Sequence, residues 1–594
     1  MSCTKTIAAD LPAFDRKFWD GTLRYTRIGT GALGGKAAGL AFIKNFLAER
    51  FDPAAFPGVE VNVPVMAVIG TGCFDNFIQH NRLTELAKAE MSDTQIGLAF
   101  QRADLPVELL GDLRALIQQV TTPLAIRSSS LLEDALGRPF AGVYATKMIP
   151  NNQFDVDTRF RRLVEAIKFV YASTFFREAR DYIRTTGTDP PSDKMAVIIQ
   201  EVVGTRHRDR FYPHISGVAR SLNFYPTGEA RPEDGVVTLA LGLGKTIVDG
   251  GIAWTYSPSH PKAPPPFGSV GELLRGTQTD FWAINMGKPP AYDPVNETEY
   301  MVQADLAAAE SDEALDLVAS TYDPARDRVI TSLGVCGPRL LNFAPLLVRE
   351  EIPFNAIIKK LLEVAEESTG AKVEIEFAIT FDRKDDGAAQ MRLGFLQVRR
   401  MVVSEEQVEV TPEDLANIDA VVASTRTVGN GITEVQDVVF VRPERFSVTN
   451  TLAVAVDLER INGKLRDQAR PYLLIGFGRW GSSHPSLGIP VDWSQISGAK
   501  AIVESTLPQM NVELSQGSHF FHNLSSFRTS YFMVQHENDF GINWSWLNQQ
   551  PVVQETEFVR HVRPAKPLTI KVDGRIRRGV ILRGDKSDDA QEIQ

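Results

Sequence analysis

Residues 374–379 and 394–400 read EIEFAI and GFLQVRR, two largely apolar runs joined through the polar turn DRKDDG at 382–387. Their pattern predicts a β-hairpin with strands over 372–381 and 391–398. Glu374 and Glu376 are two apart and therefore share one face of their strand. A carboxylate pair inside an apolar strand costs free energy unless a cation answers it, so the spacing predicts a metal or a lysine beside them. Gln397 and Arg399 share a face of the partner strand in the same way. Two carboxylates, an amide and an arginine on adjacent strands suit a floor for magnesium and ATP phosphates. A solvent-facing, salt-bridged hairpin fits the same residues.

Upstream of the hairpin, Phe354, Ile357, Ile358, Leu361 and Leu362 recur at helical spacing, which predicts a helix over 353–368 ended by Gly370. Further helical and strand patterns fall at 36–47, 63–69, 123–127, 195–203, 216–225 and 236–241. Residues 256–300 are rich in proline and glycine and predict a long surface excursion. At 29–40, GTGALGGKAAGL is a glycine-rich turn entering a helix with Lys36 at its start, where backbone N–H groups and the helix dipole favour anions, although a turn of this kind taken alone is more often structural. It is not a Walker A loop, because Thr30 and Ala37 occupy two required positions. GLGKT at 242–246 fails likewise, with Leu239 in place of the first glycine. PLAIRSSSLLEDALGRPFAG at 123–142 ends a strand on Arg127 beside three serines, which suits a bidentate phosphate clamp; a polar loop with an exposed arginine is the plainer reading. MAVIIQEVV at 195–203 reads as a buried strand whose edge suits an adenine.

In this order, GGKAAGL, IRSSSLLED with FAG, MAVIIQEVV, SGVARS, GLGKTIVDG and IEFAI with LQVRR resemble the N-terminal ATP-grasp domain of phosphoenolpyruvate synthase and pyruvate phosphate dikinase, over residues 22–401. The resemblance implies an α+β, two-lobed ATP-grasp-like fold that binds ATP with Mg²⁺. It implies that Lys36 and Arg127 neutralise the phosphates and that the stretch with Gln200 and Val202 lines the adenine. Glu374 and Glu376 would bind Mg²⁺ or orient ribose and phosphates, with Gln397 and Arg399 beside the phosphate chain; Glu376 and Gln397 are the expected metal ligands. One departure is Lys245, where the family usually carries glutamate.

Fewer residues follow Met401 than the roughly 200 to 250 that a β/α barrel needs, and no long βα alternation is visible there. Complete phosphoenolpyruvate synthase activity is therefore not expected. The region instead suggests a smaller β/α domain, with a divergent swivelling phosphohistidine domain as one reading. His519, in GSHFFH after the strand pattern 499–505, is the candidate phosphoryl carrier, since an imidazole at a helix start is a nucleophile whose phosphate the helix dipole favours. A pair of histidines buried in an aromatic cluster is the competing reading. The glycines, Arg479 and serines of 476–483 suit an anion, with Trp480 and Trp493 able to stack on a ring; a tight, aromatic-packed turn suits them equally. The basic stretch 571–580 reads as a solvated hairpin.

The chain has 594 residues, 43% of them apolar and 23% charged. That predicts several globular units: lobes at 1–210 and 211–403, a third unit at 416–585 after a charged linker, and a disordered tail at 586–594. A net charge of −11 argues against a general nucleic-acid binder. No apolar run is long enough for a bilayer, and three cysteines make no disulfide framework, so a cytoplasmic protein with neither nucleic-acid nor membrane partners is expected. The sequence thus predicts an ATP-dependent phosphotransferase acting on an unidentified acceptor. A non-catalytic nucleotide-sensing module and a kinase without a phosphohistidine remain as rivals.

Overall fold

The computed structural model describes residues 11–16, 24–88, 91–130, 142–180, 194–223, 226, 229–263, 270–350, 352–383, 389–401, 408–482, 487–508, 529–536, 541–574 and 576–584. The chain divides into two compact units: Met1–Ile247 with Ile252–Met401, and Val248–Gly251 with Val402–Gln594.

The first unit is built on two larger sheets. One has the order β1 (Tyr25–Ile28), β3 (Met66–Ile69), β6 (Met195–Glu201), β4 (Leu124–Ser130), β5 (Thr146–Ile149). The other runs β11 (Trp254–Tyr256), β10 (Val236–Ala240), β9 (Ile215–Arg220), β17 (Val373–Arg383), β18 (Ala389–Arg400), β2 (Val59–Asn62). The expected hairpin is therefore the longest pairing of a six-stranded sheet. Its edge comes from residues 59–62, far upstream in the chain. Smaller sheets are β13 (Met301–Asp305), β12 (Asp280–Asn285), β8 (Arg210–Tyr212), β7 (Thr205–His207), and β15 (Arg328–Ile330), β14 (Ala319–Asp323), β16 (Arg339–Leu341).

Helix α1 (Gly34–Arg50) and the helix Phe354–Thr369 lie on the same core as β17 and β18. Ile357, Ile358, Leu361 and Leu362 are buried there with Leu40 and Ile43 of α1, as the helical spacing requires. Gly370 ends its helix in the left-handed region at φ 65°. At the start of α1 the chain needs glycine for two reasons. Gly34 has φ 75°, and a Cβ there would overlap the carbonyl of Ser129 on β4. The Ser129 hydroxyl donates to Leu33 O at 2.8 Å and accepts from Ala37 N at 3.0 Å, fixing the first turn of α1 against that strand.

Residues 256–300 are not one surface excursion. β12 threads through them with Phe281, Ala283 and Ile284 fully buried. Buried Lys147 also pins the following loop, pairing with Glu299 at 2.7 Å and donating to the carbonyls of Pro294 and Asn296. The prolines flank this strand closely enough to mask its short apolar alternation.

The second unit holds a sheet of order β19 (Ala420–Ser424), β31 (Arg578–Leu582), β30 (Leu568–Asp573), β21 (Gly431–Val435). Beside it is a larger one, β20 (Thr427–Val428), β27 (Ser530–Val534), β26 (Ala499–Ser505), β23 (Tyr472–Phe477), β22 (Asp437–Val441), β29 (Val559–Val562), β28 (Val552–Glu555). Its central strands β22, β23, β26 and β27 are mutually parallel. The helices Thr451–Asp467 and Trp493–Ile496 lie between them in the chain, so a short βα alternation does exist after residue 401. Buried parallel strands read as continuous apolar runs, which hides their period. A two-stranded ladder, β24 (Arg479–Trp480) with β25 (Gly488–Ile489), completes the unit.

Within the expected linker, Val408, Val410 and Leu415 are buried in a small core with Ala423 and Val580. The hairpin predicted over 571–580 is the β30–β31 pair, whose Val572, Val580 and Ile581 are buried rather than solvated. The expected tail at 586–594 lies outside the described residues. Among the described residues, no helix is long and apolar enough to cross a membrane.

Candidate functional site

The site forms where β4 and β6 of one sheet approach β17 and β18 of the other, all within the first unit. Register sets the first rows. Glu374 stands opposite Arg220 on β9 and Arg399 on β18, and Glu376 stands opposite Gln397. Directly opposed residues of antiparallel strands share a face, so both glutamates, Gln397, Arg399 and Arg220 project together. Between Glu376 and Phe377 the register slips, because Leu396 is an extra residue on β18. Such a bulge takes a residue out of the ladder. The Leu396 carbonyl is then used by Arg127 of β4, which donates to it at 2.9 Å.

Arg127 is the hub of the network. Nη1 also donates to Gln200 Oε1 at 3.2 Å, and Nη2 donates to Gln397 Oε1 at 3.0 Å and lies 3.8 Å from Glu376 Oε2. Glu376 Oε1 is 3.3 Å from Arg399 Nη1. Glu374 takes a 2.6 Å bond from Arg220 Nε, with Arg399 Nη1 3.6 Å from its second oxygen. Glu374, Gln397, Arg399 and Gln200 are all buried. Among the described residues, three arginines thus face these two glutamates. Among those residues, the cations beside the carboxylate pair are guanidiniums. Arginine's delocalised, weakly hydrated charge makes it the better buried partner.

Both amides give their oxygens to Arg127, which fixes their orientation. Their nitrogens, Gln200 Nε2 and Gln397 Nε2, are then buried without a hydrogen-bond partner among the described residues. Buried donors left in this state are rare, because each costs about 1–3 kcal/mol. Two such donors beside a guanidinium suit a ligand rich in acceptor oxygens.

The structure brings Arg127, Gln200, Glu374, Glu376, Gln397 and Arg399 into one network. The Lys36 ammonium donates to Ser128 Oγ at 3.1 Å, one residue along β4 from Arg127. Val202 follows β6 and packs with Phe211, Leu243, Ile284 and Met286 in a separate apolar cluster. Glu133, Asp134 and Phe140–Ala141 lie outside the described residues, as does His519. Arg220 is the residue that sequence reasoning overlooked. Its signal was an arginine closing the otherwise apolar strand ISGVAR. Among the described residues, no group of three or more His, Cys, Asp or Glu side chains is placed to hold a metal. Glu376 and Gln397 together offer two oxygen donors, which fits a Mg²⁺ ion that takes its other ligands from water and phosphate.

In the second unit, the glycine-rich turn after β23 packs Trp480 inward. Its indole N–H donates to Val503 O at 3.2 Å, and its ring fills the space that a side chain at Gly476 would need. Trp493 is buried too. These tryptophans are core residues and do not present a stacking face. Ser483 lies outside the described residues.

Compared with curated proteins, the chain finds no match. A family model described as pyruvate phosphate dikinase, AMP/ATP-binding domain, matches residues 30–418. That span covers well over half of the chain and contains every member of the Arg127 network. The chain therefore belongs to the pyruvate phosphate dikinase AMP/ATP-binding domain family, and adenine-nucleotide binding is the function this membership carries.

Proposed function

We propose that the protein is an ATP-dependent phosphotransferase of dikinase type, with the ATP phosphates held at the Arg127 network. The observation that supports it is the pair of buried, acceptor-less amide nitrogens flanking Arg127. Phosphate oxygens would accept from Gln200 Nε2 and Gln397 Nε2 and take the guanidinium of Arg127 as counter-charge. Arg399, held by both glutamates, would sit beside the phosphate chain, and Lys36 would approach from α1. Mg²⁺, held by Glu376 and Gln397, would supply charge neutralisation to the phosphates. Gln397 Oε1 would use its second lone pair for this and keep its bond from Arg127. Glu374 is the positioning residue, tied to Arg220 and Arg399. The stretch around Val202 would cover the adenine.

Phosphoryl transfer places little covalent demand on the protein and depends on positioning and charge neutralisation. The proposed first acceptor is the imidazole of His519. Its nitrogen forms the P–N bond as the P–O bond to the departing nucleotide breaks, and the phosphoryl group then passes to a second acceptor. Incubation with β- and γ-labelled ATP, followed by mapping of acid-labile phosphate, tests this. Label on His519 supports the carrier step. Label on no histidine, with turnover retained, removes it. Tight ATP binding without turnover against a broad acceptor panel replaces the whole reading by a sensing module.

A further inference from the structure

The amino ends of β22 and β23, in the second unit, carry a cluster that the nucleotide reading does not use. Asp437 opens β22 and is buried, and three side chains converge on its carboxylate. Arg563 Nε donates to Oδ1 at 2.8 Å, and Arg470 Nε donates to Oδ2 at 2.7 Å. His561 Nε2 lies 2.7 Å from Oδ1. Strand register accounts for the meeting. Val439 pairs with His561 and Val438 with Val562, so continuing the ladder brings Arg563 opposite Asp437. His561 and Arg563 are two apart and share a face. Arg470 enters from the turn between the helix Thr451–Asp467 and β23, where its own N–H donates to Leu465 O at 2.9 Å. Arg563 is anchored likewise, its N–H donating to Pro551 O at 2.9 Å.

One arginine would already neutralise a buried aspartate. Here two guanidiniums bond the two oxygens of one carboxylate, so they stand no further apart than that group and two hydrogen bonds allow. Like charges held this close repel, and a single carboxylate offsets only one of them. Each arginine reaches Asp437 through Nε. Among the described residues, the Nη nitrogens of both donate to nothing, and the two side chains keep 32% and 34% exposure. The carboxylate thus acts as a tether that leaves two charged forks side by side at the surface. Guanidinium forks bind oxyanions through paired N–H bonds. Two adjacent forks suit a tetrahedral group with three or more oxygens better than a carboxylate with two.

We propose that Arg470 and Arg563, held side by side by Asp437, form a second binding site, which takes a phosphate group, either free or carried as a monoester. The Nη groups of both arginines donate to the phosphate oxygens. Asp437 does not touch the ligand; it positions the two guanidiniums and offsets part of their repulsion before the ligand arrives. His561 holds the carboxylate from the buried side. This site is independent of the nucleotide reading.

The test uses the full chain carrying Arg127→Ala, so that the first unit contributes less anion binding. Inorganic phosphate, glycerol 3-phosphate and acetate are titrated calorimetrically at pH 7. One of the two phosphates should bind, and the tighter of them tells whether the ligand is free or esterified. Adding Arg470→Gln or Arg563→Gln should each weaken that binding by about tenfold or more, since either removes one charged fork. Cooperative urea unfolding shows that each variant is folded. Where a glutamine variant does not fold, Arg470→Lys or Arg563→Lys replaces it; lysine keeps the charge, loses the fork, and should still weaken binding measurably. A cluster that only braces the fold would lower the unfolding midpoint in these variants and leave phosphate affinity unchanged, which overturns the proposal. So does the absence of binding by both phosphates at millimolar concentration, or acetate binding as tightly as they do. None of these results touches the ATP site, which is read separately by nucleotide titration of the chain with Arg127 intact.

Discussion

Arg127 and Gln397 lie 270 residues apart and meet at 3.0 Å, the guanidinium Nη2 donating to the amide oxygen. With the bond from Arg127 to Leu396 O, it joins the two larger sheets of the first unit. It also decides which end of the amide is left for a ligand. If phosphate is that ligand, Arg127→Ala should weaken ATP binding by about 10- to 100-fold, the loss of ~1.5–3 kcal/mol expected for a charge-assisted contact. Arg127→Lys should fall between the two, because it restores charge without the planar fork. Calorimetric titration with ATP and Mg²⁺ checks both. Unchanged affinity in Arg127→Ala would place the nucleotide elsewhere.

The Glu374 row carries a stability prediction. Its carboxylate is buried between Arg220 and Arg399, and removing one partner of a buried ionic group costs about 3–5 kcal/mol. Glu374→Ala should lose stability on that scale in urea unfolding. An exposed pair such as Lys360–Glu363 should contribute less than about 1 kcal/mol when cut by Glu363→Ala. Comparable losses at the two sites would mean that the Glu374 row is solvated in solution.

Gly34 supplies a test of how α1 is seated. With φ at 75° and the Ser129 carbonyl where a Cβ would stand, Gly34→Ala should destabilise by about 1–3 kcal/mol and weaken ATP binding by moving Lys36. Gly463, inside the helix Thr451–Asp467, has open space around it. There the same substitution should stabilise by about 0.5–1 kcal/mol. Thermal melting distinguishes the two signs.

Glu504, fully buried on β26, predicts a pH dependence, because burial pushes its carboxyl up. Its native value of about 8 lies above the ordinary glutamate value of 4.5, so the folded state holds the proton more tightly than the unfolded chain. Stability from this group is complete below about pH 4.5 and is lost as pH rises toward 8, by ~1.4 kcal/mol per pH unit. Above 8 the loss levels off. Glu504→Gln should flatten that slope in urea unfolding measured at pH 5, 6.5 and 8. Parallel pH profiles for both proteins would show the carboxylate to be solvated.

The sequence by itself determined the elements whose signal is local. The spacing of Phe354, Ile357, Ile358, Leu361 and Leu362 specified a helix, and Gly370 ended it where only glycine turns left-handed without strain. Alternation specified the β17–β18 hairpin and placed Glu374, Glu376, Gln397 and Arg399 on shared faces, because the two-residue period of a strand is a covalent property. What answers those carboxylates was not local. Arg220 and Arg127 come from strands 154 and 270 residues from their partners Glu374 and Gln397. They arrive only through sheet order and through a bulge at Leu396 that no propensity encodes. The same holds for Trp480, whose indole looked available to a ring until Gly476 made room for it in the core, and for Glu504, whose burial depends on which strands lie beside it. Periodicity fixes which way a side chain points along its own strand. Only tertiary packing decides what stands opposite it.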